Sequence, residues 1–259
     1  MTAEFLSFAR EIAEEAGARL EEGHGTIARG DVEYKGWRNL VTEIDLAVEQ
    51  RVAERIEARF PAHGILGEEG VAKSGTSDLR WVIDPLDGTT NYVHQHPFYC
   101  VSIGLEDSEG PLVGVVYAPK LREFFSSSRG GGAERNGTAI HVSTEPDIGR
   151  SLLASGFAYG LGTSGDRNLA NWSRVSEVSR GLRRCGSAAL DLCYVADGRY
   201  DGFWELGLNP WDVSAGILLV QEAGGRVTDC SGGDSYLSGE SIASSNGKIH
   251  DKLLSLIEE

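Results

Sequence analysis

Cysteine is scarce and scattered: Cys100, Cys185, Cys193 and Cys230 are the whole complement, and no two form a C-x-x-C pair. That spacing argues against zinc or dithiol redox work, so all four thiols are expected to be reduced and mostly buried. Positive charge is short as well, with 24 Lys and Arg against 39 Asp and Glu and a net charge of −15. Non-specific binding to DNA, RNA or an anionic membrane relies on Lys and Arg to neutralise phosphates, so those partners are excluded. A phosphate met by this chain has to be met through metal cations. No apolar run approaches the roughly 20 residues that cross a bilayer. The opening Met-Thr-Ala-Glu-Phe-Leu-Ser-Phe lacks the basic start and apolar core of a signal peptide, and a cytoplasmic location is the expectation.

What is present suits a loop-punctuated α/β fold acting as one catalytic unit. The chain has 259 residues, of which 41% are hydrophobic and 34 are glycine; that glycine content is nearly twice the usual share of about 7%. Phe5, Phe8, Ile12, Ala16 and Leu20 recur at helical spacing and predict a helix from about residue 3 to 22. Val32 and Tyr34 alternate as in a hairpin. Thr42 then reads as an N-cap with Asp45 three residues on, before the face Ile44, Val48, Val52, Ile56 and Phe60. On these residues alone, capping explains Asp45. Strands are expected at Cys100–Leu105, Leu112–Tyr117, Glu123–Ser126 and, closing the meander, Ile140–Val142. From Ser151 strands and helices alternate, which divides the chain into sub-halves of roughly 1–145 and 146–259. No repeat or linker interrupts it.

Three stretches carry chemistry. In Trp81-Val82-Ile83-Asp84-Pro85-Leu86-Asp87-Gly88-Thr89-Thr90-Asn91-Tyr92, a short buried strand runs into Asp84 and is expected to stop at Pro85, which has no N–H to donate. Asp84, Asp87 and the Leu86 carbonyl are hard oxygen donors of the kind that suits magnesium or calcium. Gly88 permits a tight turn, and Thr89-Thr90 can open a helix whose free N–H groups attract an anion. In the second stretch, Gly64 to Gly70, Glu68 and Glu69 lie between glycines, where a carboxylate could be fixed or merely solvated. The third is Leu208-Asn209-Pro210-Trp211-Asp212 followed by an apolar helix to Gly224-Gly225. There Asp212 lies at a helix start, where dipole electrostatics explain it as well as ligation does. His94 and His96 are assigned to a loop and not to a metal, because the carboxylates nearby favour a hard cation.

Together these stretches resemble the inositol monophosphatase family in its bacterial form. The resemblance is carried by Gly67-Glu68-Glu69, Asp84 to Asn91, Trp211-Asp212 with Ala215-Gly216, and Glu222 to Gly225. Lys35, Asn39 to Thr42 with Asp45, and Gly186-Ser187-Ala188-Ala189 also match, in order from end to end. It implies a five-layer αβαβα sandwich, usually a homodimer, that hydrolyses phosphate monoesters with Mg²⁺. By position, Glu68, Asp84 and the Leu86 carbonyl would hold one magnesium and Asp84, Asp87 and Asp212 a second, with a third, weaker ion at Glu68. Thr89, with Asp45 behind it, would orient a metal-activated water, a reading that displaces capping as the main role of Asp45. Lys35 would add positive charge. The N–H groups of Gly88 and Thr89 would bind phosphate, with Asp87 and Asp212 facing the substrate beside Ser187, Ala188 and Glu205. Lithium sensitivity follows from a replaceable magnesium. Asn209 stands where animal members carry histidine, so the substrate is left open among inositol 1-phosphate, fructose 1,6-bisphosphate and histidinol phosphate. A non-catalytic metal- or phosphate-binding regulator is the competing class.

Overall fold

The computed structural model describes residues 2–25, 33–34, 40–41, 43–157 and 163–257. In chain order the first half holds α1 (Thr2–Gly23), β1 (Glu33–Tyr34), β2 (Leu40–Val41), α2 (Glu43–Arg59), β3 (Gly64–Gly67), β4 (Ala72–Lys73), β5 (Arg80–Asp87) and α3 (Thr89–Val93). It continues through β6 (Cys100–Asp107), β7 (Gly110–Ala118), β8 (Glu123–Ser128), β9 (Gly132–Arg135) and β10 (Thr138–Ala139). The second half follows as β11 (Leu152–Ser155), α4 (Thr163–Val178), β12 (Gly181–Arg183), α5 (Ala188–Ala196), β13 (Gly202–Leu206), α6 (Pro210–Glu222), β14 (Arg226–Thr228), β15 (Ser241–Ser245) and α7 (His250–Leu254).

Two mixed sheets organise these elements into five layers. The larger has eight strands in the order β10-β9-β8-β7-β6-β5-β3-β4, and the smaller has five in the order β12-β11-β13-β15-β14. Helices α1 and α2 cover one face of the large sheet, burying Phe8, Ile12, Val52 and Ile56 against Trp81, Ile83 and Val101. Between the sheets lie α5 and α6, whose Leu190, Leu192, Ile217 and Leu219 meet Val116 and Phe125 on one side and Phe203 and Ile242 on the other. Helices α4 and α7 close the far face through Val175 and Leu253, which pack with Trp204 and Ala243. The sandwich αβαβα expected from the resemblance is the observed architecture.

Helix α6 explains how the layers come so close. Every residue from Val213 to Val220 is buried, as its apolar sequence requires of a helix covered all round. It rests directly on the large sheet, where a Cβ on Gly114 would stand 2.7 Å from the Ala215 carbonyl oxygen. That contact brings the first turn of α6 beside β6, with the Ser102 hydroxyl 3.4 Å from the Trp211 carbonyl.

Two local expectations change. The strand does not stop at Pro85: β5 runs on to Asp87, and its pairing with β6 shifts register between Asp84 and Asp87. Proline is tolerated there because a bulge takes its missing N–H out of the ladder and bends the strand. The meander ends at β10 and not at Ile140–Val142. That segment instead docks with its Val142 N–H donating to the Ala223 carbonyl at the end of α6, 3.1 Å away.

Candidate active site

The bulge in β5 turns Asp84 and Asp87 toward the seam between the two halves. Asp84 is 1% exposed, and its Oδ1 accepts the Leu86 N–H at 2.9 Å. Burial raises its carboxyl well above the usual range. The charges of Glu68, Asp87 and Asp212 add to this, as does a hydrogen bond with the Glu68 side chain. Glu68 itself leaves the end of β3 with its N–H on the Ile83 carbonyl at 3.2 Å. The two glycine-bounded and strand-borne acids therefore meet.

Asp87 points the other way, into the start of α5. Its Oδ2 accepts the Ser187 hydroxyl and the Ala189 N–H, each at 2.7 Å. Burial pushes its carboxyl up to about 6, and those hydrogen bonds hold it from going higher. Ser187 also N-caps α5 by accepting the Leu190 N–H at 3.4 Å. From the far side, Asp212 in the first turn of α6 accepts the Asn209 N–H at 2.7 Å. Burial, then the charge of Asp87, pushes it to about 8. Glu205, on β13, is also pushed to about 8 by burial, against the lowering influence of Arg184.

A cavity of about 250 Å³ lies among these groups. Of the residues predicted for the site, Glu68, Asp87, Ser187, Ala188, Glu205 and Asp212 line it. Asp84, Leu86, Thr89 and Asp45 do not line it and are linked to Glu68 through hydrogen bonds behind its wall, and Gly88 lies outside its lining as well. Gly88 has φ +97° and opens α3; a Cβ there would be strained and 3.0 Å from the Phe98 carbonyl oxygen. The Thr89 hydroxyl can donate to the Leu86 carbonyl at 3.1 Å or to Asp45 Oδ1 at 3.3 Å. Asp45 is 1% exposed, so it is oriented by α2 toward Thr89 and not toward solvent. Lys35 lies outside the described residues.

The donor set fits a hard divalent cation. The carboxyls of Glu68, Asp87 and Asp212 raise that of Asp84, and the charge of Asp87 raises both Glu205 and Asp212, while Arg184 is the one cationic side chain in the described lining. Among the described residues, however, no three Asp, Glu, His or Cys side chains close a ready-made metal shell. A hard divalent cation takes oxygen ligands of this kind, with waters completing its coordination. His94 and His96 are exposed beyond α3, as their assignment to a loop requires. Cys100, Cys193 and Cys230 are buried free thiols, and Cys185 is half-buried.

Sequence reasoning missed several neighbours. Asp191, one turn after Ser187 on α5, lines the cavity with a 1% exposed carboxyl whose Oδ1 has no hydrogen-bond partner. Burial and the charges of Glu205 and Asp87 raise it well above the usual range. Its apolar flanks, Leu190 and Leu192, disguise it as part of a buried helix. Gly156 is the floor under Glu205, since a Cβ there would collide with both carboxylate oxygens. Glu49 was hidden for a similar reason, four residues after Asp45 on an ordinary amphipathic face.

The fold and the acid-lined seam define an α/β sandwich with a carboxylate-rich cavity between its halves, and comparison with known proteins places it. A profile of the inositol monophosphatase family matches residues 1–259. The chain is 44% identical over 253 residues to an inositol-1-monophosphatase of Synechocystis, covering 96% of this chain and 87% of that one. It is 39% identical over 250 residues to the Nus factor SuhB of Escherichia coli, covering 96% and 94%. The crystal structure of the extragenic suppressor protein suhB from Bartonella henselae superposes with a TM-score of 0.94 at 36% identity, over 99% of each chain. This chain belongs to the inositol monophosphatase family.

Proposed function

We propose that the protein removes phosphate from inositol 1-phosphate or a related polyol or sugar phosphate, with magnesium as cofactor. The observation that carries this reading is the convergence of Glu68, Asp87, Asp212 and Glu205 on one cavity with Asp84 behind Glu68. Repelling acids gathered at a rigid seam are stable when a cation is held among them. Glu68, Asp84 and the Leu86 carbonyl would hold one Mg²⁺, and Asp84, Asp87 and Asp212 a second, with Glu68 touching a weaker third. When bound, these ions would neutralise the acids and polarise the phosphoryl oxygens.

The chain's own groups supply the rest. Thr89, donating its proton to Asp45 or Leu86, keeps a lone pair for an incoming water and passes that water's proton toward Asp45. The N–H groups of Gly88 and Thr89 hold a phosphate oxygen at the start of α3. Glu205 accepts a polyol hydroxyl, Ala188 meets the polyol through its backbone, and Ser187 borders the same space. Lys35 adds positive charge from outside the described residues. The cavity draws its walls from both sub-halves, from the β3–β4 turn to the first turn of α6, which supports the reading of the chain as one catalytic unit.

Phosphate release measured with Mg²⁺ tests the reading, with Asp87→Asn as the inactive control. A preference of tenfold or more for fructose 1,6-bisphosphate or histidinol phosphate over inositol 1-phosphate would replace the substrate. Metal binding without turnover on any of the three would replace the enzyme with a regulator. A homodimer, a cytoplasmic location and inhibition by millimolar lithium belong to the same reading. A monomeric mass in solution, export from the cell, or full activity in lithium would remove each in turn.

A further inference from the structure

We propose that Glu49 is a positioning residue that sets the affinity of the site for its divalent cation by clamping the turn that carries Glu68. This rests on the reading of Glu68 as a metal ligand. Glu49 lies on α2 and is 1% exposed. Its Oε2 accepts the Glu69 N–H at 2.7 Å and its Oε1 accepts the Val71 N–H at 2.8 Å. The turn between those two amides is tight: the Gly67 N–H donates to the Val71 carbonyl at 2.8 Å, and Gly70 has φ +117°. Gly67 packs flat on the clamp, because a Cβ there would stand 2.8 Å from Glu49 Oε1 and closer still to Oε2.

The Glu68 side chain therefore leaves the backbone between two anchors. On one side its own N–H is tied to the Ile83 carbonyl, one residue before Asp84. On the other, the next N–H is tied to Glu49. Asp45 and Glu49 are four residues apart, so one face of α2 orients the Thr89 hydroxyl and, a turn later, the Glu68 turn. A carboxylate suits this position because both of its oxygens accept. Glutamine would turn an NH₂ donor toward one of the two N–H groups and break half the clamp at constant size.

The test compares Glu49→Gln with Glu68→Gln and the parent, metal-free at the start. Amide hydrogen exchange at Glu69 and Val71 reads the clamp, and calorimetric titration with Mg²⁺ reads the affinity. The expected result for Glu49→Gln is exchange at least tenfold faster at one or both amides and a Mg²⁺ Kd raised roughly five- to tenfold. Half-saturation of phosphate release by Mg²⁺ should rise by the same factor, with kcat at saturating metal kept within twofold. Gly67→Ala, which presses on the same carboxylate, should reproduce the loss of affinity and serves if Glu49→Gln folds poorly. Weakened binding in Glu68→Gln beside parental binding in Glu49→Gln and Gly67→Ala overturns the positioning role alone. Parental binding in Glu68→Gln overturns the ligand assignment and the proposal with it.

Discussion

Replacing Ser187 by alanine tests how the seam holds Asp87. The substitution deletes a 2.7 Å hydrogen bond to Asp87 Oδ2 and leaves the Ala189 N–H, also at 2.7 Å, the Ala188 N–H and the Cys100 thiol, at 3.9 Å, as donors to the carboxylate. A hydrogen bond to an ionised group is worth roughly 1.5–3 kcal/mol. The N-cap of α5 goes as well, worth about 1 kcal/mol when well formed, but its 3.4 Å length puts it at the low end. A net loss of about 2 kcal/mol at neutral pH is expected, a fall in Tm of roughly 4–8 °C for a chain of this size. The loss should depend on pH. Ser187 lowers a carboxyl that burial has raised to about 6, so its bond favours the ionised form. Below that value Asp87 is protonated in the fold and the serine contributes less. Urea unfolding of metal-free protein should therefore show the full loss near pH 8 and a smaller one near pH 5. An equal loss at both pH values, or one below about 0.5 kcal/mol, would refute the reasoning.

Other consequences can be measured directly. Asp212 and Glu205, pushed to about 8, hold protons in the fold that the unfolded chain releases at lower pH. Stability from these groups is full below their unfolded values and lost as pH rises through about 8. His250, pushed down to about 4, works in the opposite sense, gaining the protein stability as pH rises to its unfolded value. Metal-free protein should thus melt lower at about pH 9 than at about pH 7, with Mg²⁺ closing the gap; a Tm that rises over that range contradicts the acid cluster. Gly156→Ala drives a Cβ into the Glu205 carboxylate and should cut kcat/KM for inositol 1-phosphate tenfold or more, while sparing an aryl phosphate that lacks hydroxyls. Equal losses on both substrates would mean that Glu205 does not read the alcohol. Trp204→Phe removes the 2.7 Å bond from the indole N–H to Asn168 Oδ1 and leaves a buried acceptor unmade, for a loss of about 1–3 kcal/mol in chemical denaturation. A change below about 0.5 kcal/mol would show that water replaces the indole.

Much of the fold was legible because its periodicities are strong. The stripe of α1, the strands β6 and β7, and the wholly apolar α6 each bury the residues that their spacing marks. Pro85 misled, because the rule that proline ends a strand omits the bulge, a feature set by pairing with β6. The Ile140–Val142 segment misled for the related reason that an apolar run can be buried under a helix end as well as in a sheet. For the site, the acids on short motifs were found from the motifs. Asp191 and Glu49 were not, since a single acid on an amphipathic or apolar helix face looks the same whether it meets solvent or a cavity.

The acid-rich, cysteine-poor composition, the motif around Asp84 and Asp87 and the buried run of α6 were determined by the sequence itself, because periodicity and short-range spacing are local properties of the chain. That Asp45 stands behind Thr89, that Ser187 reaches Asp87 across a hundred residues, and that Glu68 meets Asp84 were decided only by tertiary structure. The first contact depends on α2 packing over β5 and the last on β3 pairing with β5, while Ser187 reaches Asp87 because α5 and α6 pack against the large sheet. The resulting low-dielectric seam makes neighbouring carboxyls raise one another, and no spacing along the chain encodes that.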